Sequence, residues 1–182
     1  MKNIFLYHTT IGPIAIAEKS SSITNVFMAK DISEYFTISE TDSSSGGPIL
    51  VPRATGSNHQ YNYFESGLLK EAAEQLYQYL DGKLKSFILP LAPEGTGFMK
   101  SVWDELLKIP YSRTASYKEI AQAVGNPKAS RAVGLANNRN PIPIIVPCHR
   151  VVGISGKLVG YRGGLETKRK LLELEGCSFA KS

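Results

Sequence analysis

Short apolar runs open the chain. Residues 3–7 and 14–18 are two such runs separated by the turn signal Gly12-Pro13, and 23–28 is a third, rich in β-branched and aromatic residues. Runs of this length between turn residues predict three strands in an antiparallel meander. The pattern then lapses. From Thr41-Asp42-Ser43-Ser44-Ser45-Gly46-Gly47-Pro48 through Thr55-Gly56-Ser57-Asn58 the chain is polar and rich in turn formers. Residues 43–66 are therefore predicted to form a flexible loop. The embedded Leu50-Val51-Pro52-Arg53 has the form of a thrombin-cleavage sequence and points to no function of the protein.

Beyond that loop the period becomes helical. Leu69, Ala72, Ala73, Leu76 and Leu80 predict a helix over 68–80, ended by Gly82. Thr96 or Gly95 opens another, with Phe98, Val102 and Leu106 stacked at i, i+4, i+8 and Trp103 on the flank, read as core. Ile109-Pro110 closes it. Ser116 is a good N-cap for a helix over 117–124, and Glu119 stands at capping-box spacing. Gly125-Asn126-Pro127 makes a turn into a second helix over about 128–137, built from the small residues Ala129, Ser130, Ala132, Val133, Gly134 and Ala136. The result is a helix–turn–helix pattern. Small residues suit tight packing against a neighbouring helix, and they equally suit a helix pressed into a groove of nucleic acid.

With 182 residues the chain has room for one large domain or two small ones. We divide it into an α/β domain over 1–92 and a mostly helical domain over 93–182. No apolar run approaches the roughly 20 residues of a membrane span, and the N-terminus lacks the long apolar core of a signal peptide. Two cysteines, Cys148 and Cys177, make no disulfide scaffold, so a reduced cytoplasmic protein is expected (nuclear in a eukaryote). The net charge of +5 is unevenly placed. From Lys100 onward 14 Lys and Arg face 6 Asp and Glu, a net of +8, against 7 and 10 before it, a net of −3. A basic second half fits a polyanion partner as well as it fits a solvated basic face.

The chemical centre is Asn140-Pro141-Ile142-Pro143-Ile144-Ile145-Val146-Pro147-Cys148-His149-Arg150-Val151-Val152. Two alternating prolines predict an extended, rigid lead-in that would fix the Cys148 thiol in place. Apolar surroundings raise a thiol's pKa, so Cys148 is either an inert buried hydrophobe or a nucleophile that needs help, for which His149 is the adjacent base.

Pro147-Cys148-His149-Arg150-Val151 resembles the signature of the O6-alkylguanine-DNA alkyltransferases. Ile109-Pro110-Tyr111, Ser116-Tyr117, Gly125-Asn126-Pro127, Arg131-Ala132-Val133-Gly134, Asn140-Pro141, Gly160-Tyr161, Gly163-Gly164-Leu165, Leu171-Leu172 and Glu175-Gly176 are similar to that family in order and spacing. The likeness is close over about 96–176 and looser before it. It implies a ribonuclease-H-like N-terminal domain, with a small antiparallel sheet and a helix, and a winged-helix-like C-terminal domain. It implies Cys148 as alkyl acceptor, His149 as a base acting through a water, and Glu175 as the carboxylate that orients the imidazole. Tyr117 would donate a proton to N3 of guanine, and Asn140 would bridge the active-site turn to the recognition helix. Arg131 would fill the space of the extruded nucleotide, with Ala129, Ser130, Ala132 and Gly134 letting the helix enter the minor groove. The carbonyls of Cys148 and Val151, with Tyr161, Arg162 and Gly163, would line the substrate pocket.

The implied function is direct-reversal repair of O6-alkylguanine, and of O4-alkylthymine, in double-stranded DNA, by a monomer that needs no cofactor or metal and works once. The departures are local. Ser112-Arg113 replaces the Gly-Glu usual after Pro-Tyr, and Arg162 puts a bulky cation at the pocket rim, which bears on tolerance of large adducts. No Cys precedes Cys148, so the zinc site of some relatives is absent, with only His8 and His59 available there. Two rivals remain. One is a lesion-binding relative that transfers nothing, although such relatives lack the acceptor cysteine. The other is a helix–turn–helix regulator. Label transfer from alkylated DNA separates both from the first reading.

Overall fold

The three predicted strands form: β1 (Lys2–Thr9), β2 (Gly12–Lys19) and β3 (Ser22–Phe27) make an antiparallel meander. The computed structural model describes residues 1–39, 49–52 and 61–180. These divide into two compact units, Met1–Ala92 and Pro93–Ser182.

In the first unit the sheet is mixed, which corrects the expectation of a purely antiparallel one. A further strand, β6 (Tyr61–Tyr63), runs parallel to β1, giving the order β3-β2-β1-β6. A parallel neighbour needs a long crossover, and the chain between β3 and β6 supplies it. That crossover holds a short helix, α1 (Ala29–Tyr35), and a strand pair, β4 (Phe36–Ser39) with β5 (Ile49–Pro52). The flexible loop read over 43–66 is thus corrected at 49–52 and 61–63. The second pairs with β1, some sixty residues earlier, while the first is a short apolar run set between polar, turn-rich stretches that pairs with the nearby β4. Residues 43–48 and 53–60 lie outside the described residues, and 64–66 carry no regular element. Leu50 joins Ile4, Leu6, Ala15, Ala17, Phe27, Ile32 and Phe36 in one buried cluster. Strand alternation leaves Ile14 and Ile16 for the opposite face of β2. The helix α2 (Gly67–Leu80), N-capped by the Ser66 side chain, packs on β1 and β2. It buries the predicted Leu69, Ala72, Ala73 and Leu76, but with Tyr79 as the last core position in place of Leu80.

In the second unit, α3 (Gly97–Leu107) is N-capped by Thr96. Its buried stripe is Val102, Trp103 and Leu106; Phe98, expected in that stripe, is exposed because it lies in the first turn, ahead of the packed region. The Trp103 indole donates to the Ala136 carbonyl at 2.9 Å. Gly95 admits the ring: a Cβ there would stand 2.5 Å from it. Next come α4 (Tyr117–Ala123), with the predicted Ser116–Glu119 capping box, and α5 (Ser130–Asn138). The second helix starts two residues later than expected. Helix α6 (Leu165–Leu174), which the periodicity reading missed, closes the unit.

Candidate active site

A two-residue parallel ladder sets the site. β7 (Ala115–Ser116) pairs with β8 (Val151–Val152). Tyr117 directly follows the first strand, and the 3-10 turn Cys148–Arg150 directly precedes the second. The ladder thereby brings the start of α4 beside the cysteine turn.

The lead-in to that turn is folded, not extended as expected. The Val146 amide donates back to the Ile142 carbonyl at 2.9 Å, and Ile144 takes φ 75°, a strained value for a buried β-branched residue. Asn140 overrides the prolines. Its Oδ1 accepts from the Ile142 amide at 3.0 Å, and its Nδ2 donates to the Val146 carbonyl at 2.9 Å and to Cys148 Sγ at 3.2 Å. Asn140 is buried, so these contacts define the turn without competition from water.

Cys148 and His149 are buried. His149 Nε2 lies 2.8 Å from Glu175 Oε1. Glu175 is the C-cap residue of α6, where the helix dipole disfavours a negative charge. Its compensation is Arg150: the guanidinium donates Nε to Oε2 at 2.9 Å and Nη2 to Oε1 at 2.9 Å. Nη1 donates to the Ile109 carbonyl at 2.6 Å, and the group lies 5.9 Å from the Tyr111 ring centroid. Tyr111 donates to the Leu174 carbonyl and Ser112 to that of Glu175, so the segment that departs from the family pattern fastens the end of α6. Ser112 does this at φ 64°, where the family's glycine would be unstrained.

Burial holds the His149 imidazole below its ordinary pKa; Glu175 pulls it up, while Arg150 and Lys168 push it further down. Burial raises the Cys148 thiol, against Asn140, Lys168 and Arg162, which pull it down. At neutral pH these shifts leave Cys148 a thiol and His149 a neutral imidazole.

Tyr117 is half-buried and donates to the Val159 carbonyl at 3.2 Å. Arg131 and Ala132 are exposed on α5; Ala129, Ser130 and Gly134 are half-buried, and the helix's inner face is Val133, Ala136 and Asn137. Val151 is buried; Tyr161, Arg162 and Gly163 are half-buried.

Two residues that carry structure here had no role in the sequence reading. Arg150 was only part of a motif. Lys168 was hidden in the run Lys168-Arg169-Lys170, yet it stands three and four residues before Leu171 and Leu172 and so falls on the buried stripe. Its Nζ donates to the Val151 carbonyl at 2.6 Å and to that of Val159 at 2.9 Å. Burial lowers its pKa from 10.5 to about 8. The unfolded chain then holds this proton to higher pH than the folded one, so Lys168 adds stability as pH rises from about 8 towards 10.5. Cys177, raised to about 11, acts the other way at higher pH, but equally in a Lys168→Met variant. The melting temperature of the wild type relative to Lys168→Met is expected to rise between pH 7.5 and 9.5. A flat difference would mean that Lys168 keeps an ordinary pKa.

Comparison with known proteins places this geometry. Residues 97–177 match the family model described as 6-O-methylguanine DNA methyltransferase, DNA binding domain, and residues 5–93 match its ribonuclease-like domain. A methylated-DNA–protein-cysteine methyltransferase of Methanosarcina acetivorans is 47% identical over 171 residues, 94% of this chain and 96% of that protein. The constitutive one of Bacillus subtilis is 40% identical over 178 residues, 95% and 97% of the two. The crystal structure of Mycobacterium tuberculosis OGT in complex with DNA superposes with a TM-score of 0.76 at 41% identity, covering 96% of this chain and 92% of that one. The chain belongs to the 6-O-methylguanine DNA methyltransferase family, whose curated members here are named methylated-DNA–protein-cysteine methyltransferases. Its activity is alkyl-transfer DNA repair, and it binds DNA.

Proposed function

We propose that Cys148 accepts the alkyl group from O6-alkylguanine, and from O4-alkylthymine, in duplex DNA and keeps it. The observation that carries this is the buried Cys148 thiol, held by Asn140 and followed directly by an imidazole anchored on Glu175. His149 takes the thiol proton through a water, and Glu175 orients the ring and supports the imidazolium. The thiolate attacks the saturated carbon, a displacement that suits a soft nucleophile. Tyr117 gives a proton to N3, so that the guanine departs neutral.

The exposed face of α5 serves binding. The helix pair α4–α5 acts as a helix–turn–helix whose second member enters the minor groove through Ala129, Ser130, Ala132 and Gly134, in a winged-helix-like unit. Arg131 fills the gap left by the flipped nucleotide. Val151, Tyr161, Arg162 and Gly163 line the pocket, in a cytoplasmic monomer. The first unit retains a ribonuclease-H-like topology. Lesion binding without transfer is not favoured, because the acceptor thiol is present.

The test is stoichiometry. Excess O6-methylguanine duplex should leave one methyl group per chain, found on Cys148 by peptide mass mapping, because a thioether sulfur is a poor leaving group. Repair of many lesions per chain with Cys148 unmodified would overturn the assignment.

A further inference from the structure

Asn137 lies on the inner face of α5 and is only 7% exposed. Both its Oδ1 and its Nδ2 are fully buried, and neither completes a hydrogen bond of normal geometry among the described residues, although the amide lies near enough to the Tyr117 hydroxyl to act on its titration. Proteins leave few buried polar groups in this state, and those they keep call for a reason. One helical turn earlier on the same face is Gly134, where a Cβ would stand 3.7 Å from Cε1 of the Tyr117 ring. The glycine makes a seat for the phenol, and the Asn137 amide sits at the next position along that seat. The Tyr117 hydroxyl gives its one proton to the Val159 carbonyl, which Lys168 also holds, and this leaves the hydroxyl's lone pairs as acceptors.

We propose that Asn137 is a positioning residue for the transfer: its Nδ2–H donates to the Tyr117 hydroxyl oxygen as the phenol gives its proton to the departing guanine. This rests on the reading of Tyr117 as the proton donor. The atoms balance. The Cys148 sulfur–carbon bond forms and the carbon–O6 bond breaks. The electron pair withdraws into the guanine ring, and N3 takes the Tyr117 proton. The phenolate that remains is reprotonated through solvent by the proton His149 took from the thiol, so Tyr117 and His149 return to their starting states and, in net count, the thiol has lost one proton and guanine has gained one.

A phenol in this place needs such help. Burial and the neighbouring Cys148 both raise the Tyr117 pKa, which makes it a reluctant acid, and Asn137 acts in the opposite sense. An amide N–H aimed at a developing phenolate is stronger in the transition state than in the resting enzyme, which is the condition for accelerating the step. In the resting state the amide is an unmet group that burdens the fold, a common property of functional positions.

The experiment is a double-mutant cycle. Asn137→Leu keeps the shape and removes the amide. Methyl transfer from O6-methylguanine duplex should slow about tenfold, with melting temperature equal to or above the wild type, because an unsatisfied buried group has gone. Methylation of Cys148 by methyl iodide, whose iodide leaves without a proton, should proceed at the wild-type rate. In a Tyr117→Phe background, Asn137→Leu should cost nothing further. Asn137→Ala, which adds no bulk, repeats the cycle if the leucine disturbs packing. Wild-type transfer in both Asn137 variants, equal slowing of the DNA and methyl iodide reactions, or full additivity with Tyr117→Phe would each overturn the proposal. Tyr117→Phe transferring at the wild-type rate would overturn the Tyr117 reading as well; slow Tyr117→Phe with fast Asn137 variants would overturn the Asn137 role alone.

Discussion

Glu175→Gln should lower both the stability of the second unit and the rate of transfer, although it changes one atom. The carboxylate accepts from His149 on one side and from two guanidinium nitrogens of Arg150 on the other, and its side chain is fully buried. An amide has one acceptor oxygen and one donor nitrogen. However it turns, its NH2 must face either the guanidinium or the imidazole donor. Arg150 would then be a buried cation without a counter-charge, and breaking such a pair costs about 3–5 kcal/mol. For a chain of this size that corresponds to a fall in melting temperature of roughly 10 °C. Transfer, measured well below the melting range, should fall by about 10²–10⁴-fold, because the imidazole loses the group that fixes its tautomer. Differential scanning calorimetry and single-turnover transfer assays read the two losses separately. A variant with wild-type stability would show that Arg150 and Glu175 do not anchor one another.

The pairing of Glu175 with Arg150 illustrates what the sequence could not show. Glu175 was legible from the family pattern, and its place at a helix C-terminus signalled a cost. The guanidinium that meets the cost stands 25 residues away, and no local period points at it. Features built from neighbours in sequence were legible: the Ser116–Glu119 capping box and the Thr96 cap formed where expected, as did the apolar face of α2 from Leu69 to Leu76. Features closed by distant partners were not. Strand β6 pairs with an edge that β1 offers some sixty residues earlier. Lys168 looked like one of three solvated charges, and only its register against Leu171 and Leu172 set it apart. The prolines before Cys148 predicted extended backbone, as their dihedral limits allow, but the Asn140 side chain supplies hydrogen bonds that a turn uses better.

Asn140→Asp should be the second large loss, by the opposite route of adding a charge. Two of the three Asn140 contacts are donations from Nδ2, to the Val146 carbonyl at 2.9 Å and to Cys148 Sγ at 3.2 Å. In aspartate that position is an oxygen. It would face a carbonyl oxygen and a sulfur that must become a thiolate, and all three would repel one another in a buried site. The Ile142 amide keeps its acceptor, so the turn is not left wholly unpaired. The Cys148 thiol, already raised by burial, loses the side-chain hydrogen bond that lowers it most and gains a neighbouring negative charge, so its pKa moves up. Removing one preorganised donor from a developing anion costs about 10²–10³-fold in other enzymes, and the added charge should put the loss at the upper end of that range. The pH dependence distinguishes the cause. If the loss is electrostatic, raising the pH above neutrality should recover part of the Asn140→Asp rate relative to wild type, as more thiolate forms. If the turn has collapsed, no pH should recover it, and DNA affinity, which rests largely on phosphate contacts, would still be close to that of the wild type. A transfer rate within a few-fold of wild type at neutral pH would sink the argument that Asn140 prepares the sulfur for reaction.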